Sequence, residues 1–213
     1  MKIYDLTHQI NPQMSVYPGT DKPIFEVGSS LEGDGFKERR LTIFSHTGTH
    51  ADAPAHLFPD GKTLDQYPID SFMGVALLVD VSHLAGGQTI EVSAFYSISG
   101  LLGKMDFLIL RTGASSLWGS PEYFSTFPTL SHEAANYLTE FSLKAIGCDA
   151  ISFDAVGSVD LPIHHILLEK ELFLIENLTG LEPLPVEEIF QFACLPLNLA
   201  EADGAPVRAV AVI

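Results

Sequence analysis

Four side chains of the types that bind metal ions fall within one short run of the sequence: His46, His50, Asp52 and His56. Imidazole nitrogens and carboxylate oxygens are ligands that zinc and manganese accept. The chain has only eight histidines in 213 residues, so three of them in one short window need an explanation. A divalent metal site is the explanation with the clearest physical basis. A metal held by His and Asp also leaves room for catalysis.

The spacing of these residues predicts a strand and a loop rather than a helix. His46 and His50 would share one face of a helix, but the glycine, threonine and proline of this segment are poor helix formers. We therefore expect a strand over Leu41–Ser45 that ends near His46, followed by a tight turn at Gly48. His50 and Asp52, two apart in an extended segment, would then project to the same side. The alternative is a polar loop whose histidines make ordinary hydrogen bonds.

A second group of candidate residues lies more than a hundred positions further on. It comprises Asp154, Asp160, His164, His165 and Glu176. Glu176 ends an apolar run, where a carboxylate is costly to bury unless it is paired or bound to a metal. A short helix followed by a returning strand would bring His164 and Glu176 together. The spacing alone leaves an ordinary core or surface histidine equally open.

Composition narrows the function classes. The formal net charge of −16 disfavours partners with phosphate backbones or anionic lipid surfaces, so we expect neither a nucleic-acid nor a membrane partner. No apolar run is long enough to span a bilayer, and the start resembles no secretory signal. Cys148 and Cys194 show no paired spacing, which favours reduced, buried thiols in a cytoplasmic protein.

Short apolar and β-branched runs alternate with helical patterns, which predicts an α/β domain without an internal boundary over residues 1–213. The strands are expected at Leu41–Ser45, Val75–Val81, Phe107–Arg111, Leu172–Glu176 and Val207–Ile213. Several of these runs are continuously apolar, as in strands that helices cover on both faces. The helices are expected at about 131–143, 163–170 and 185–192, the first with Ser131 as its N-cap.

The run from His46 to His56 reads HTGTHADAPAH and matches the pattern HxGTHxDxPxH. Through it the chain resembles the metal-dependent "cyclase" hydrolase family, which includes bacterial kynurenine formamidase (arylformamidase) and isatin hydrolase. Looser similarity covers Tyr4–Thr7, Val16–Gly19, Leu110–Gly113, Ile146–Asp149, His164–Leu168 and Ile175–Leu178. The resemblance implies a single α/β domain of the swivelling β/α type with a mixed central sheet, assembled as a homodimer or homotetramer.

The resemblance also implies one or two divalent ions per chain, zinc or manganese. The implied ligand set is His46, His50, Asp52, His56, His164 and Glu176. His46, His50 and Asp52 resemble the ligands of the first metal, and His164 with Glu176 resembles the distal pair, with Asp52 as a possible bridge. His56 is either a ligand of a second metal or a proton-transfer group. His165 is left as a structural residue.

The implied reaction is hydrolysis of a small amide by metal-bound hydroxide, with His56 or Glu176 carrying the proton to the leaving amine. The family's best-known activity, a step of tryptophan catabolism, converts N-formylkynurenine to kynurenine and formate. Opening of a cyclic amide such as isatin is one alternative, and a metal-binding module without turnover is another. One departure concerns the substrate loop, where formamidases commonly carry Pro-Gly-Asp and this chain has Pro18-Gly19-Thr20-Asp21.

Two further features leave alternatives open. His8 is one: it could support the metal-binding residues without binding the metal itself. Four aromatic residues near one loop could pack on one another or line a pocket for an aromatic substrate. These residues are Trp118, Tyr123, Phe124 and Phe127.

Overall fold

The apolar runs of the sequence become neighbouring strands of one mixed sheet in the computed structural model, which describes residues 1–213. The twelve strands are β1 (Ile3–Asp5), β2 (Ile24–Ser29), β3 (Glu38–Thr42), β4 (His50–Asp52), β5 (Met73–Asp80), β6 (Thr89–Ile90), β7 (Phe107–Arg111), β8 (Thr129–Leu130), β9 (Ala145–Cys148), β10 (Phe173–Glu176), β11 (Phe190–Pro196) and β12 (Gly204–Val212). The four α-helices are α1 (Leu31–Asp34), α2 (Ser99–Leu102), α3 (His132–Leu138) and α4 (Pro162–Leu168). The predicted α/β class with a mixed central sheet is confirmed.

Seven strands of the main sheet close on themselves. β5, β7, β9 and β10 are parallel neighbours, β4 runs antiparallel to β10, and β12 pairs with both β4 and β11. Since β11 also pairs with β5, the order returns to its starting point and forms a barrel. β1 pairs with the C-terminal end of β12. The short strand β4 therefore lies between β10 and β12, and this position places its side chains at the centre of the site.

The continuously apolar strands are buried on both faces, but helices cover only one of them. On β5, Leu77 packs in the cluster that includes Leu138 of α3 and Leu167 of α4. Leu78 points the opposite way, into the barrel interior with Ile109 and other strand residues. The expectation of helices on both faces is therefore wrong, because the inner face is covered by the sheet's own closure.

Two of the three predicted helices form. α3 has the predicted cap, with the Ser131 hydroxyl accepting from the backbone N–H of Ala134, but it ends at Leu138 instead of 143. α4 covers most of the second prediction. The helix predicted over 185–192 is wrong, because strand β11 begins at Phe190. Burial along β11 alternates with period two, with Phe192 inside and Gln191 outside. Such alternation is typical of a strand and not of a helix.

The strand predicted over Leu41–Ser45 is displaced. β3 ends at Thr42 and pairs only with β2, so the segment that leads to His46 leaves a separate two-stranded ribbon (residues 24–42) rather than the main sheet. β4 corresponds to the extended segment expected at His50 and Asp52, whereas β2, β6, β8, β9 and β11 were not predicted as strands. Both cysteines are buried and free, as expected. No helix of the structure combines the length and the apolar character needed to cross a membrane.

Candidate metal centre

The loop between β3 and β4 delivers the first candidate ligands. Gly48 takes the left-handed conformation there, with φ of +67°, which lets the chain turn tightly before β4. His50 and Asp52 then point to the same side of β4, as the sequence predicted, and both are buried. In the register between β10 and β4, Glu176 lies directly opposite His50. The sheet thus brings the two distant groups of the sequence together.

His50 is oriented by its own loop. Its Nδ1 lies 2.8 Å from the carbonyl oxygen of Gly48, so this nitrogen donates and the lone pair of Nε2 faces the site. That Nε2 is 3.1 Å from Asp52 Oδ1 and 3.5 Å from Glu176 Oε2. The geometry fixes which imidazole nitrogen is free to bind a metal.

His164 enters from the first turn of α4 and is held by Asp154. The Asp154 carboxylate accepts from the backbone N–H of Ile163 and of His164, and from His164 Nδ1 at 2.6 Å. His164 Nε2 then lies 3.2 Å from Glu176 Oε1. A carboxylate behind a histidine is a common way to fix a metal-binding imidazole. Asp154 had no assigned role in the sequence, and this geometry supplies one.

The neighbouring candidates lie elsewhere. His165 is exposed, and its ring packs edge-on against Phe58 with the centroids 5.3 Å apart. Asp160 is exposed and lies outside the ligand groups. The structure therefore brings His164 into the site and leaves both other residues out of it.

His46 and His56 share a partner that sequence reasoning missed. His46 Nδ1 is 2.6 Å from Asp52 Oδ1, and its Nε2 is 3.1 Å from Asp203 Oδ2. His56 Nδ1 is 3.9 Å from the same Asp203 oxygen. Asp203 directly precedes β12, and only the pairing of β12 with β4 brings it here. No pattern in the sequence marks it.

Gly204 makes room for the His46 ring. A Cβ built on Gly204 would lie 2.6 Å from His46 Cε1 and 2.8 Å from Nε2, distances that no real contact allows. The ring therefore rests against bare backbone at the start of β12. Any side chain at this position would displace His46 from Asp52 and Asp203.

The donor set fits a divalent cation. Three overlapping groups each place their donor atoms within 4.8 Å of one another. They are His46 with His50 and Asp52, Asp52 with His164 and Glu176, and His46 with His56 and Asp203. Imidazole with carboxylate is the chemistry of zinc and manganese sites. Asp52 and Glu176 are only 1% and 5% exposed, and no Lys or Arg side chain reaches them.

The electrostatics of the site also favour a cation. Burial by itself lowers the pKa of His46, but the Asp52 carboxylate and hydrogen bonds to Asp203 and Asp52 raise it to about 10. Burial would raise the pKa of Asp52, yet the charges that His50 and His46 can carry hold that pKa well below its usual value. Both shifts come from the close contact between carboxylates and imidazoles, in which each group stabilises the charged form of the other. A buried carboxylate that stabilises protonated imidazoles in this way also attracts a metal cation.

His56 behaves differently from the other histidines. Burial lowers its pKa, and although Asp52 acts in the opposite direction, the neighbouring imidazoles of His46 and His164 add to the lowering. Its ring is half-buried and 4.1 Å from that of His46. A neutral imidazole at the rim can accept a proton near pH 7, so His56 suits proton transfer.

A hydrogen-bond network behind the ligands joins four segments of the chain. Asn177 donates from Nδ2 to the Gly48 carbonyl, the same oxygen that orients His50, and its Oδ1 accepts from Tyr123 at 2.6 Å. The Asn177 carbonyl accepts from the Thr49 hydroxyl, which in turn accepts from the backbone N–H of His8. His8 thus reaches the ligand loop only through its backbone.

The aromatic loop packs behind this network. The His8 ring stacks on Trp118 at 3.8 Å, and Trp118 meets Tyr123 edge-on. Burial lowers the pKa of His8 to about 4. Trp118, Tyr123, Phe124 and Phe127 do not line the cavity at the site, so packing is their role.

A cavity of about 580 Å³ opens over the ligands. The loop before β2 forms part of its wall with Tyr17, Gly19 and Thr20, whereas Asp21 points to solvent. The acid of the run Pro18-Gly19-Thr20-Asp21 therefore lies outside the cavity, and Thr20 lines the wall instead. Phe44, Ile151 and Leu161 add apolar surface on other sides.

The sequence is similar to a known family and to named relatives. A protein-family model described as "Putative cyclase" matches residues 4–155. The kynurenine formamidase of Bacillus mycoides is 34% identical over 207 residues, which are 97% of this chain and 95% of that protein.

Solved structures share the fold. A protein from Bacillus stearothermophilus, described as a predicted metal-dependent hydrolase, aligns with a TM-score of 0.80 and 26% identity over 99% of this chain and 97% of its own. An isatin hydrolase bound to the product analogue thioisatinate aligns with a TM-score of 0.86 over 100% and 92%, at 22% identity. The second match shows the fold alone.

Single substitutions should separate the ligands from their neighbours. His50→Ala and His164→Ala each remove a nitrogen that faces the buried carboxylates, so we expect most of the bound metal to be lost. The control is His165→Ala, one residue from His164 but exposed. Metal per chain is measured by inductively coupled plasma mass spectrometry on protein purified without chelator. Wild-type metal content in His164→Ala would contradict the ligand assignment.

Gly204→Ala tests the contact with His46 without substituting any candidate metal ligand. The added Cβ must push the His46 ring away, so we expect weaker metal binding, by about 10–100-fold as for other residues that support metal ligands. Gly103→Ala is the control, because a Cβ there meets nothing within 4 Å. Metal affinity is measured by competition with a chromophoric chelator. Equal affinity in both variants would show that His46 tolerates displacement.

Proposed function

This chain belongs to the cyclase family of metal-dependent hydrolases, and we propose that it hydrolyses the formamide bond of N-formylkynurenine to give kynurenine and formate. One observation carries the proposal: the relative named kynurenine formamidase is similar over 97% of this chain. The chain itself holds a buried cluster of metal-binding residue types below its cavity. Hydrolysis breaks the C–N bond, forms a C–O bond and leaves a proton to be delivered to the nitrogen.

We propose that one or two divalent ions, zinc or manganese, occupy the site. His46, His50 and Asp52 would hold one ion, and His164 and Glu176 would hold another together with the shared Asp52. When bound, such an ion lowers the pKa of a water molecule to near 7 and polarises a carbonyl oxygen.

Glu176 and His56 have different roles in the proposed reaction. Glu176 already uses both oxygens: Oε1 accepts from the backbone N–H of Phe153 at 3.2 Å and faces His164, and Oε2 faces His50. His56 is not held by such close contacts, and its imidazole is neutral at pH 7 because its pKa is lowered. We therefore assign to His56 the transfer of a proton from the attacking water to the leaving nitrogen, and to Glu176 a ligand's role.

The cavity suits a small aromatic amide. Its volume of about 580 Å³ lies within the usual range for small-molecule sites. Tyr17, Phe44 and Ile151 supply apolar surface for an aromatic ring. No Lys or Arg lines the cavity, so the substrate's carboxylate gains no ion pair there and is placed toward the open side.

We place the protein in the cytoplasm, with a small amide as its substrate and no nucleic-acid or membrane partner. Burial raises the pKa of both the Cys148 and the Cys194 thiol. Such thiols stay protonated and unreactive, in keeping with a protein that needs no disulfide.

A metal-dependent assay tests the activity. Purified protein should convert N-formylkynurenine, followed by the near-ultraviolet absorbance change on deformylation. Exhaustive chelation should abolish turnover, and zinc or manganese should restore it. Ring opening of isatin without turnover of N-formylkynurenine would assign the cyclic-amide reaction instead. Failure on a broad panel of amides, with metal fully bound, would point to a binding module.

His56→Asn distinguishes a proton carrier from a ligand. If His56 carries the proton, kcat falls by about 10²–10⁴-fold while the metal content stays at the wild-type value. His132→Asn, on the exposed side of α3, is the matched control. Both variants are assayed for kcat and for metal per chain. Loss of metal in His56→Asn would identify His56 as a ligand.

A further inference from the structure

Five residues other than glycine have a positive φ, and two of them lie at the cavity. The left-handed region is unfavourable for a residue with a Cβ, so the surrounding structure has to hold such a residue there. Three of the five are exposed glutamates outside the strands and helices, whereas the other two line the cavity. The exposed three are Glu171, Glu187 and Glu201, and the two at the cavity are Leu161 and Asn177.

Leu161 has the least favourable backbone of these residues for its type. Its φ is +40° and its ψ is +54°, and it directly precedes Pro162. A proline ring pushes the residue before it towards extended conformations. Asparagine tolerates the left-handed region through local hydrogen bonds of its short side chain, and glycine adopts it without steric cost. The backbone at this position therefore favours glycine, yet the chain has a leucine there.

Contacts on both sides hold Leu161 in this conformation. Its carbonyl accepts from the backbone N–H of His165 at 2.9 Å, and the Asp154 carboxylate accepts from two backbone N–H groups in the first turn of α4. On the other side, the Gly157 N–H donates to the Tyr17 hydroxyl at 3.0 Å. Because the chain is fixed before and after Leu161, the sharp change of direction falls on that residue.

The Leu161 side chain belongs to the wall of the cavity. It is partly buried and lines the cavity together with Phe44 and Ile151, and it comes three residues before His164 at the start of the same helix. Few apolar side chains line this cavity, and serine and threonine hydroxyls, imidazoles and carboxylates supply most of the rest. Each apolar side chain is thus a large part of the surface against which a ring can pack.

We propose that Leu161 is a specificity-determining residue: its side chain forms a wall against which the aromatic ring of the substrate packs, and the strained backbone at this position serves to place that wall. The inference rests on the proposed function in one respect, an aromatic amide as the substrate. The backbone strain depends on no substrate. Apolar contact that is equal in the bound substrate and in the transition state changes KM and leaves kcat unchanged.

The first test concerns the backbone. Leu161→Gly and Leu161→Ala both remove the side chain, but only glycine relieves the strain, so we expect Leu161→Gly to melt about 2–4 °C above Leu161→Ala. Val159 is the matched control, because it lies in the same loop, is 92% exposed and has no positive φ. Val159→Gly should melt below Val159→Ala, since glycine loses more conformational freedom on folding. Thermal unfolding is followed by circular dichroism, and a melting temperature of Leu161→Ala equal to or above that of Leu161→Gly would overturn the proposal.

The second test concerns the substrate. Both Leu161 variants should raise KM for N-formylkynurenine by about 10-fold, the lower end of the effect of a lost apolar contact, with kcat within about twofold of wild type. Val159→Ala should keep the wild-type KM, and all variants should keep the wild-type metal content. Unchanged KM in both Leu161 variants would overturn the proposal. So would a fall in kcat together with loss of metal, which would make Leu161 a support of His164 instead.

Failure of this inference differs from failure of the proposed function. A wild type that leaves N-formylkynurenine intact but opens isatin would refute the proposed substrate, and the same comparison of KM is then made with isatin, which also carries an aromatic ring. A raised KM for isatin in the Leu161 variants would support the role of Leu161, and an unchanged KM would overturn it. A wild type that acts on no aromatic amide would overturn both.

Discussion

A single buried carboxylate, Asp52, joins the parts of the site. Its oxygens lie 2.6 Å from His46, 3.1 Å from His50 and 3.7 Å from His164. These imidazoles come from a loop, a strand and a helix. Removal of such a charge from water costs several kcal/mol, about what close and well-oriented partners return. The arrangement is therefore favourable only when all the partners are in place.

The barrel makes that convergence possible. β4 is only three residues long, yet it is bonded on one edge to β10 and on the other to β12. Its first edge brings Glu176 opposite His50, and its second brings Gly204 opposite Asp52. Outside the site, the ends of the ribbon lead directly into cavity residues, Thr20 before it and Phe44 after it.

The sequence predicted the part of the site on the His46–His56 segment better than the part that comes from distant segments of the chain. The alternation of His50 and Asp52 is visible within three residues, because side chains two apart in a strand share a side. The choice of His164 over His165 rested on the resemblance, and the hydrogen bond that His164 donates to the Asp154 carboxylate now gives its physical reason. Asp203 could not be predicted, since its role depends on the pairing of β12 with β4, in which Gly204 lies opposite Asp52 in a distant part of the sequence. The helix expected near residue 190 does not form, because residues from Phe190 onward pair as strand β11 with both β12 and β5.

The order in which the barrel closes bears on when the site can exist. β12 is synthesised after every other strand of the barrel, and its first residues complete the wall behind Asp52 and His46. Chains emerge from the ribosome from the N-terminus at about 5–20 residues per second, so the ligand loop is exposed for several seconds before its last neighbour arrives. During that interval the chain still lacks Asp203 and Gly204, the two residues that contact His46 from the start of β12. The complete site can therefore form only once β12 has been added.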